Sequence, residues 1–427
     1  MKSFPLCLGV SVASEARDYW FMAYPMKYSI VTFGCRVNQA DSLAIEAELC
    51  SRGAEAVSPD RADVVVVNTC SVTASADQGA RQTIRRIARD NPAVKIIATG
   101  CYATRCANEV AELPGVIRVV GNNDKDPRTF VAALVDSSGH ALQPLSSDGP
   151  CGRRWSPGLM GRTAWTLRVQ TGCEEKCSYC IIPTTRGGSR SRTIEDVLNE
   201  VHQVIAAGYK EIAVTGVHLG SYGRDLSPRL TLATLLRVLT DIPGVLFRVS
   251  SLEPMDFPPE IVDRVAPHFH LPLQHASNRV LRLMRRPYTI EQYSRIVDDI
   301  RVRVPHAAIG TDVIVGFPGE TDEDFQTLVR YLEASPVTHI HVFPYSDRPG
   351  TEASSLPHKV HGSIVRARGE GVREIARRLQ ERFRASLAGT RRPALTIEDG
   401  SVAITDNYVR VAAPPGHARN EWVQVVL

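Results

Sequence analysis

Short apolar runs alternate with amphipathic stretches along most of this chain. In the first third, three runs rich in β-branched residues predict buried strands of a parallel sheet, at residues 28–33, 62–67 and 94–98. Apolar residues recur with a helical period at residues 42–52 and 74–90. Strands that alternate with helices are typical of a doubly wound α/β domain, which we place at residues 26–135.

Six further strands, with helical stretches between them, follow in the central part of the chain. The strands are predicted at residues 166–170, 211–215, 246–250, 269–273, 308–315 and 339–343. The principal helices are predicted at residues 193–207, 231–240, 290–302 and 322–334. Six β/α units without a repeated sequence indicate a partial (β/α)6 barrel, whose functional side chains are expected on the loops that follow the strands.

The remaining segments break this alternation. Residues 136–161 are rich in Ser, Gly and Pro and are predicted to form a linker. The barrel domain is expected to span residues 162–387 and to end in a long Arg-rich helix at residues 365–387. Beyond it, residues 388–427 are predicted to form a small all-β domain, for which a barrel is one arrangement. Its strands are expected at residues 394–397, 401–404, 408–412 and 422–426.

Composition limits the classes of protein to which the chain can belong. Its 427 residues exceed one ordinary core, and no apolar run approaches the ~20 residues that span a bilayer. An apolar stretch at residues 4–13 faintly resembles a secretory signal, but we interpret residues 1–25 as a disordered extension or a misassigned start. We therefore expect a cytoplasmic protein whose ten cysteines serve metal or redox chemistry rather than disulfides.

Positive charge is concentrated in two segments. Residues 153–192 hold eight Lys or Arg against two Glu, and residues 359–392 hold ten against three. Either segment alone could be a solvated loop or helix face. Because the two segments flank the predicted chemical centre of the barrel, a polyanionic partner such as a nucleic acid is favoured.

The cysteines of the barrel domain form the strongest motif in the chain. Cys173, Cys177 and Cys180 are spaced as C-x3-C-x2-C in a loop directly after the first barrel strand. Three thiolates on such a loop can hold three irons of a 4Fe–4S cluster and leave the fourth iron open for a chelating cofactor. Zinc is the alternative, although structural zinc sites have four protein ligands and commonly pair C-x2-C units. The motif resembles the signature of the radical-SAM superfamily, which implies S-adenosylmethionine (SAM) as the cofactor.

Three more cysteines each follow a predicted strand of the N-terminal domain. Cys35, Cys70 and Cys101 lie 35 and 31 residues apart, about the length of one βαβ unit. Right-handed crossovers place these strand ends at one edge of the parallel sheet. We interpret the set as ligands of a second cluster, with a zinc site completed by Cys106 or a histidine as the alternative. The other thiols are interpreted as buried or incidental, namely Cys7, Cys50, Cys106 and Cys151.

With both cysteine sets considered, the chain resembles the methylthiotransferase family from about residue 27 to the C-terminus. In the N-terminal domain the matching stretches are TFGCRVNQ at residues 32–39, NTCSVT at 68–73 and TGCY at 99–102. In the barrel they are the cysteine loop at 172–190, TGVHLG at 215–220, RVSSLEP at 248–254, HLPLQ at 270–274 and DVIVGFPGE at 312–320. The C-terminal domain resembles the family's RNA-binding TRAM domain at Thr405, Asn407, Tyr408 and Val409.

The resemblance implies two 4Fe–4S clusters and two molecules of SAM per turnover. Cys35, Cys70 and Cys101 would hold the cluster whose sulfur is methylated by one SAM. Cys173, Cys177 and Cys180 would hold the cluster at which a second SAM yields the radical that activates the substrate carbon. Cofactor contacts are expected from Tyr179 and from residues at predicted strand ends, namely Thr215, Ser250, Glu253, Gln274 and Tyr345. The implied partners are tRNA, an electron donor such as flavodoxin or ferredoxin, and a sulfur source.

Three branches of the family differ in substrate. The form Gly-Cys-Arg-Val-Asn-Gln at residues 34–39 resembles the branch that methylthiolates C2 of N6-threonylcarbamoyladenosine 37 in tRNA. One alternative is the N6-isopentenyladenosine branch, which usually has Met before that Asn, and another is the branch that modifies an aspartate of a ribosomal protein. A non-catalytic iron–sulfur RNA-binding protein is the alternative from another class.

Overall fold

The computed structural model describes residues 26–138 and 156–427. The predicted extension at residues 1–25, most of the predicted linker, Cys7 and Cys151 lie outside the described residues. Within those two ranges, no helix is both long enough and apolar enough to cross a membrane.

The N-terminal domain is built on a five-stranded sheet whose strands all run parallel. The strands are β1 (Lys27–Thr32), β2 (Glu55–Ala56), β3 (Val64–Thr69), β4 (Lys95–Gly100) and β5 (Val116–Val120). They lie in the order β2-β1-β3-β4-β5, so the direction of winding changes between β1 and β3. The helices are α1 (Arg36–Ser51), α2 (Ala74–Asp90), α3 (Cys101–Arg105), α4 (Ala107–Ala111) and α5 (Pro127–Ser138).

Helices cover both faces of this sheet, which confirms the doubly wound fold. Ile45 of α1 and Phe130 of α5 pack in the core beneath one face, whereas Ile84 of α2 and Val110 of α4 pack in the core beneath the other. Strand β3 is buried along its whole length because it lies at the centre of the sheet. Its unbroken valine run is the pattern expected for such a strand.

The N-terminal domain differs from the prediction at three places. Helix α1 begins six residues before the predicted start at residue 42, because its buried face carries polar residues that interrupt the apolar period. Strands β2 and β5 escaped prediction, since β2 has two residues and β5 exposes most of its length. Helix α5 extends to Ser138 and so reaches into the predicted linker.

The central domain is a partial barrel of six parallel strands, as predicted. β6 (Trp165–Arg168), β9 (Glu211–Thr215) and β10 (Leu246–Val249) form one sheet, and β11 (His268–His270), β12 (Ala308–Val315) and β13 (His339–Pro344) form the next. A hydrogen bond from the Leu252 N–H to the His270 carbonyl, at 2.9 Å, links the two sheets. A short antiparallel pair, β7 (Gln170–Thr171) with β8 (Arg190–Ser191), brackets the cysteine loop.

Helices cover the outer side of the barrel. They are α7 (Ile194–Ala206), α8 (Leu232–Thr240), α10 (Ile290–Arg303) and α11 (Asp322–Ala334). The shorter helices of this domain are α6 (Ile182–Arg186), α9 (Asn278–Leu283) and α12 (Glu352–Ser355). Alternate strand residues such as Leu167, Val214 and Val313 pack in the core with the longer helices. Since successive side chains of a strand point to opposite faces, the residues between them face the barrel interior, which we call the lumen.

The C-terminal segment closes the chain with helix α13 (Gly362–Ser386) and a four-stranded antiparallel sheet. The strands are β14 (Arg391–Ile397), β15 (Val402–Thr405), β16 (Arg410–Ala412) and β17 (Trp422–Val426), in the order β16-β15-β14-β17. Among the described residues β16 does not pair with β17, so the sheet stays open. Tyr408 stacks on His268 at 4.5 Å between ring centroids and thereby contacts the lumen.

Candidate active site

Cys35, Cys70 and Cys101 lie at the carboxyl edge of the N-terminal sheet, at the ends of three adjacent strands. The strand register aligns Thr32 with Asn68 and Asn68 with Thr99, just before each cysteine. All three thiols are free; Cys35 is exposed, whereas Cys70 and Cys101 are buried. The pKa of the Cys70 thiol is raised to about 11, mainly by burial and to a smaller extent by the neighbouring thiols of Cys35 and Cys101. The arrangement agrees with the sequence prediction of one shared edge.

Two glycines allow these loops to approach one another closely. A Cβ atom on Gly34 would lie 2.4 Å from the Cys70 Sγ, and one on Gly100 would lie 2.2 Å from the Thr69 carbonyl oxygen. Both residues also have positive φ, 86° and 95° respectively, which L side chains rarely adopt. Any larger residue at either position would therefore displace the loop that carries a cysteine of the set.

Cys173, Cys177 and Cys180 lie in one loop at the mouth of the barrel, between β7 and α6. The loop is held by backbone contacts: the Cys173 N–H donates to the Gly187 carbonyl at 3.0 Å, and the Ser178 N–H donates to the Met284 carbonyl at 3.1 Å. All three thiols are free and partly exposed. Burial raises the pKa of the Cys180 thiol to about 12.

Arg286 is a buried charged side chain that contacts this loop, and its role escaped the sequence analysis. Its Nη1 donates to the Cys177 Sγ at 3.1 Å, and its Nη2 pairs with Glu253. The guanidinium also lies over the Tyr288 ring, 5.0 Å from the centroid. One buried cation therefore connects the cysteine loop to the loop after β10. No local pattern marks Arg286, because Cys177 precedes it by more than a hundred residues.

The other predicted cofactor contacts lie around the barrel mouth. Thr215 ends β9, Ser250 follows β10, and the Ser250 Oγ is buried without a hydrogen-bond partner in the described part of the chain. Gln274 lies beyond β11 with φ of 61°, and its N–H donates to the Asp312 carbonyl at 2.8 Å. Glu253 is engaged by Arg286, as described above. Their placement at strand ends is as predicted, and their role as cofactor contacts remains a prediction.

Tyr179 and Tyr345 belong to one aromatic cluster beside the cysteine loop. Phe317 contacts both rings edge to face, with centroids 6.4 Å from Tyr179 and 5.4 Å from Tyr345. Val280, Met284 and Ala353 complete the same buried cluster. The predicted contact of Tyr179 with an adenine likewise remains a prediction.

The residues at the barrel mouth fit an iron–sulfur cluster with a chelating cofactor. Three free thiols on one loop are a suitable donor set, and Arg286 offers a hydrogen bond to a thiolate sulfur. The loop also needs its glycine, because a Cβ atom on Gly172 would lie 1.9 Å from the Gly188 carbonyl oxygen. The unpartnered Ser250 Oγ supplies a polar group that a cofactor could satisfy.

A buried charge network joins the two cysteine sets. Arg186, six residues after Cys180, donates to the Asn38 Oδ1 at 2.6 Å and to the Asp41 Oδ2 at 3.1 Å. Asp41 also pairs with Lys125 at 3.0 Å and with Arg168. Burial opposes the charge of Asp41, but these three cations hold the pKa of its carboxyl well below the ordinary value.

Arg186 is also electrostatically coupled to the N-terminal thiols. Burial opposes a raised pKa for Arg186, but the charge of Asp41 and then the thiols Cys101 and Cys35 raise it. Asn122 adds a second link, since its Nδ2 donates to the Thr185 carbonyl at 2.9 Å and lies 3.7 Å from the Cys101 Sγ. The sequence analysis gave no signal for this network, because Asn38 and Asp41 precede the predicted start of the helix at residue 42 and only the structure shows that they are buried.

The Arg-rich helix α13 uses several of its arginines in contacts within this chain. Four of its arginines are already engaged by residues of this chain: Arg368 by Glu320, Arg377 by Glu374 and Glu381, Arg378 by Glu333, and Arg382 by the Ser335 carbonyl. A contact to phosphate at these positions would have to replace an existing partner. Carboxylates of this chain thus balance the charge of Arg368, Arg377 and Arg378, and a contact of this segment with a polyanion stays a prediction.

Known proteins resemble this chain in both large domains. The family model described as "Uncharacterized protein family UPF0004" matches residues 27–121, and that of the Radical SAM superfamily matches residues 167–332. The Threonylcarbamoyladenosine tRNA methylthiotransferase MtaB of Aquifex aeolicus is 37% identical over 400 residues, which cover 90% of this chain and 96% of the relative. The chain belongs to the radical-SAM methylthiotransferase family. The predicted family and the predicted class of enzyme are thereby confirmed.

Other members and a solved structure agree with this assignment. The tRNA-2-methylthio-N(6)-dimethylallyladenosine synthase of Thermobifida fusca is 34% identical over 421 residues, covering 93% of this chain and 83% of the relative. The radical S-adenosylmethionine methyltransferase TsrM from Kitasatospora setae matches with a TM-score of 0.55 and 16% identity, over 78% of this chain and 75% of that one. This last likeness concerns the fold alone. Membership in the radical-SAM superfamily implies a 4Fe–4S cluster and SAM.

Proposed function

We propose that this methylthiotransferase acts on tRNA and converts N6-threonylcarbamoyladenosine 37 to its 2-methylthio derivative. The observation that carries the proposal is the pair of three-cysteine sets, one at the edge of the α/β sheet and one at the barrel mouth, joined by Arg186. A sulfur-carrying site and a radical-generating site must act on one substrate carbon, so they need a common opening. The buried network around Asp41 provides a fixed relation between them.

The two sets have different tasks in this proposal. Cys173, Cys177 and Cys180 are the ligands of the 4Fe–4S cluster that the superfamily implies, and Cys35, Cys70 and Cys101 are the ligands of a second 4Fe–4S cluster that carries sulfur. When bound, these groups supply one-electron cleavage of one SAM and methyl transfer from another to sulfur. Fe–S ligation by three cysteines leaves one iron open at each site.

The side chains of this chain hold and shield those groups. Arg286 donates to the Cys177 sulfur and keeps Glu253 at the mouth of the barrel. The aromatic cluster of Tyr179, Phe317 and Tyr345 covers one side of the cysteine loop and keeps water from it. The remaining cofactor contacts proposed are Thr215, Ser250 and Gln274, all at strand ends where barrels place their functional groups.

Two observations support threonylcarbamoyladenosine as the substrate. The A. aeolicus relative carries that substrate in its name and aligns over nearly its whole length. The stretch GCRVNQ at residues 34–39 has the form that this branch is expected to have. A second candidate, the isopentenyl (dimethylallyl) adenosine named for the T. fusca relative, is favoured by an identity of 34% over 93% of this chain.

The proposal also includes the setting in which the enzyme works. Its partners are tRNA, an electron donor such as flavodoxin or ferredoxin, and a source of sulfur. We include a cytoplasmic location in the proposal, because the proposed substrate is tRNA.

Mass spectrometry of tRNA nucleosides tests the substrate. Anaerobically reconstituted enzyme, dithionite and SAM are incubated with tRNA that carries threonylcarbamoyladenosine and, separately, with tRNA that carries isopentenyladenosine. We expect the 2-methylthio derivative of the first nucleoside. Formation of the isopentenyl product alone would contradict the proposed substrate. Continued SAM cleavage without either methylthio product would contradict the proposed function.

Iron analysis tests the second cluster separately. Two 4Fe–4S clusters correspond to about eight iron and eight sulfide per chain. About four of each, together with one zinc, would instead assign the N-terminal cysteines to a zinc site.

A further inference from the structure

The two candidate substrates differ in the chemistry of the group on N6. A threonylcarbamoyl group carries a carboxylate and a hydroxyl, whereas an isopentenyl group is hydrocarbon only. A site that hydrogen-bonds a polar substrate group rejects an analogue that lacks it, because its own polar groups are then left without partners. The polarity of the lumen therefore bears on the choice between the two.

Three side chains on neighbouring strands form a polar cluster inside the barrel. Asp312 of β12 lies between His270 of β11 and His341 of β13: its Oδ1 is 3.0 Å from the His270 Nε2 and 3.1 Å from the His341 Nδ1. The two imidazole rings are stacked, with centroids 5.3 Å apart. We call these three residues the lumen triad.

The strand pattern shows that the triad faces the lumen. On β12, Val313 belongs to the core under the helices, and the Thr311 Oγ1 lies 3.2 Å from the Tyr293 hydroxyl of α10. Asp312, between them, points to the other face. His341 pairs with Asp312 in register and shares that direction. His270 is aligned with Gly310, one pleat lower.

Gly310 allows the His270 ring to reach Asp312. A Cβ atom at Gly310 would lie 2.8 Å from the His270 Nδ1, so a larger residue would push the ring away. His270 and Asp312 are largely covered, but the His341 side chain is 65% exposed. Within the described residues its one hydrogen bond runs through Nδ1 to Asp312, which leaves Nε2 facing the open lumen.

The charges around the triad favour an anionic ligand. Asp312 is shared by two histidines. On strands β9 to β13 the other carboxylate that faces the lumen is that of Glu211 on β9, and it is paired with Arg248 of β10. The hydrogen bond to Asp312 raises the pKa of His341 and thus favours its charged form.

We propose that His341, oriented by Asp312, donates a hydrogen bond from Nε2 to the carboxylate of the N6-threonylcarbamoyl group. The proposal rests on the proposed function and adds to it a residue that determines substrate specificity. An isopentenyl group in the same place would shield the His341 Nε2 from solvent without offering it a hydrogen-bond acceptor. The lumen triad thus selects the threonylcarbamoyl substrate.

The test compares two RNA substrates that differ only in the proposed contact. Anticodon stem-loops carrying threonylcarbamoyladenosine, as the free acid or as its methyl ester, are assayed with wild-type enzyme and with His341→Phe. We expect wild type to prefer the acid in kcat/KM by about tenfold to a hundredfold, the effect of one hydrogen bond to a charged group. In His341→Phe the acid should lose that advantage while the ester is used as in wild type.

Controls separate this contact from a general defect. His202→Phe, on the exposed side of α7, should keep the wild-type preference. SAM cleavage without RNA and anisotropy binding of both stem-loops are measured for every variant. If His341→Phe is misfolded, His341→Gln decides, because a neutral amide should still reduce the preference.

The outcomes for the triad and for the proposed function are distinct. A wild-type preference that persists in a folded His341 variant would overturn the role of the triad, as would a wild-type enzyme that uses acid and ester equally. A wild-type enzyme that modifies only isopentenyladenosine RNA would overturn the proposed substrate itself.

Discussion

At the scale of single residues, the two cysteine sets are surrounded by different partners. The barrel loop has Arg286 at 3.1 Å from the Cys177 sulfur, whereas the N-terminal set is packed against backbone and reached by Arg186 from the other domain. Buried thiols become good metal ligands when nearby positive charge favours the thiolate. Arg286 and Arg186 are two of the groups that this chain offers for that purpose.

Replacing Arg286 by Leu should slow SAM cleavage. The change removes a charged hydrogen bond to Cys177, a proposed cluster ligand, and takes away the partner of Glu253, so the cluster should be harder to reduce. We expect 5′-deoxyadenosine formation to fall about tenfold or more, with a more negative midpoint potential in an anaerobic titration. Arg282→Leu, on the exposed side of α9, is the matched control. An unchanged potential in Arg286→Leu would show that its role is structural.

The two cysteine sets should fail differently when one ligand is removed. Cys177→Ala lacks a proposed ligand of the cluster that would cleave SAM, and it should form no 5′-deoxyadenosine. Cys70→Ala leaves the barrel loop intact, so it should still cleave SAM under reduction while forming no methylthio-nucleoside. Circular dichroism and the absorbance of the remaining cluster check that each variant is folded. Normal methylthiolation by Cys70→Ala would make the N-terminal set structural.

At the scale of elements, the loops after β1 and β4 depend on backbone that only glycine tolerates well. Gly34 and Gly100 begin the turns that bring Cys35 and Cys101 towards Cys70. Both turns follow parallel strands whose carboxyl ends share an edge, which is where α/β folds build their sites. A loop of this kind is sensitive to a single methyl group.

Gly34→Ala should damage the N-terminal site more than its backbone strain alone predicts. The new Cβ would meet the Cys70 sulfur at 2.4 Å, so the sulfur must move. Gly208→Ala is the control, because Gly208 has a similar φ of 92° and open space around its Cβ position. Gly208→Ala should cost about 1–2 kcal/mol of unfolding free energy from backbone strain alone. Gly34→Ala should cost more because of the added contact with Cys70, and it alone should lower iron content. Equal iron in the two variants would contradict this prediction.

At the scale of the whole molecule, buried charges hold the α/β domain on the barrel. Asp41 from α1 meets Lys125 of its own domain and two arginines of the barrel, Arg168 and Arg186. Arg348 extends the contact by donating from the loop after β13 to Asp77 at 2.9 Å. Because buried charges are costly when one partner is lost, this interface should resist separation of the two domains.

Asp41→Asn should destabilise the protein strongly at neutral pH. Three cations would lose their shared carboxylate, which for a buried network costs about 3–5 kcal/mol. The folded pKa of Asp41 is depressed, so its stabilisation is present above the unfolded pKa of about 3.9 and is lost as pH falls through the folded value. Urea unfolding should therefore show that the difference in unfolding free energy between Asp41→Asn and wild type becomes smaller only at acidic pH. Asp90→Asn, at an exposed ion pair, should change stability by less than about 0.5 kcal/mol.

Much of the fold could be predicted because the relevant patterns are local. The valine run of β3 and the strand-cysteine spacing in both domains depend on near neighbours in sequence, and the structure confirms these elements. Prediction failed where tertiary contacts override local preference. The start of α1 is an example, since its buried polar residues have partners that are distant in sequence, such as Thr69 for Asn38 and the barrel residue Arg186 for Asp41.

The chain sequence by itself determined which residues are available for chemistry and at which strand ends they lie. Parallel strands joined by right-handed crossovers bring those ends to one edge, so the cysteine sets could be placed without coordinates. Tertiary structure alone decided which distant side chains meet: Arg286 with Cys177, Arg186 with Asp41, and His341 with Asp312. The physical reason is register and domain packing, which depend on the fit of whole surfaces and leave no local period in the sequence.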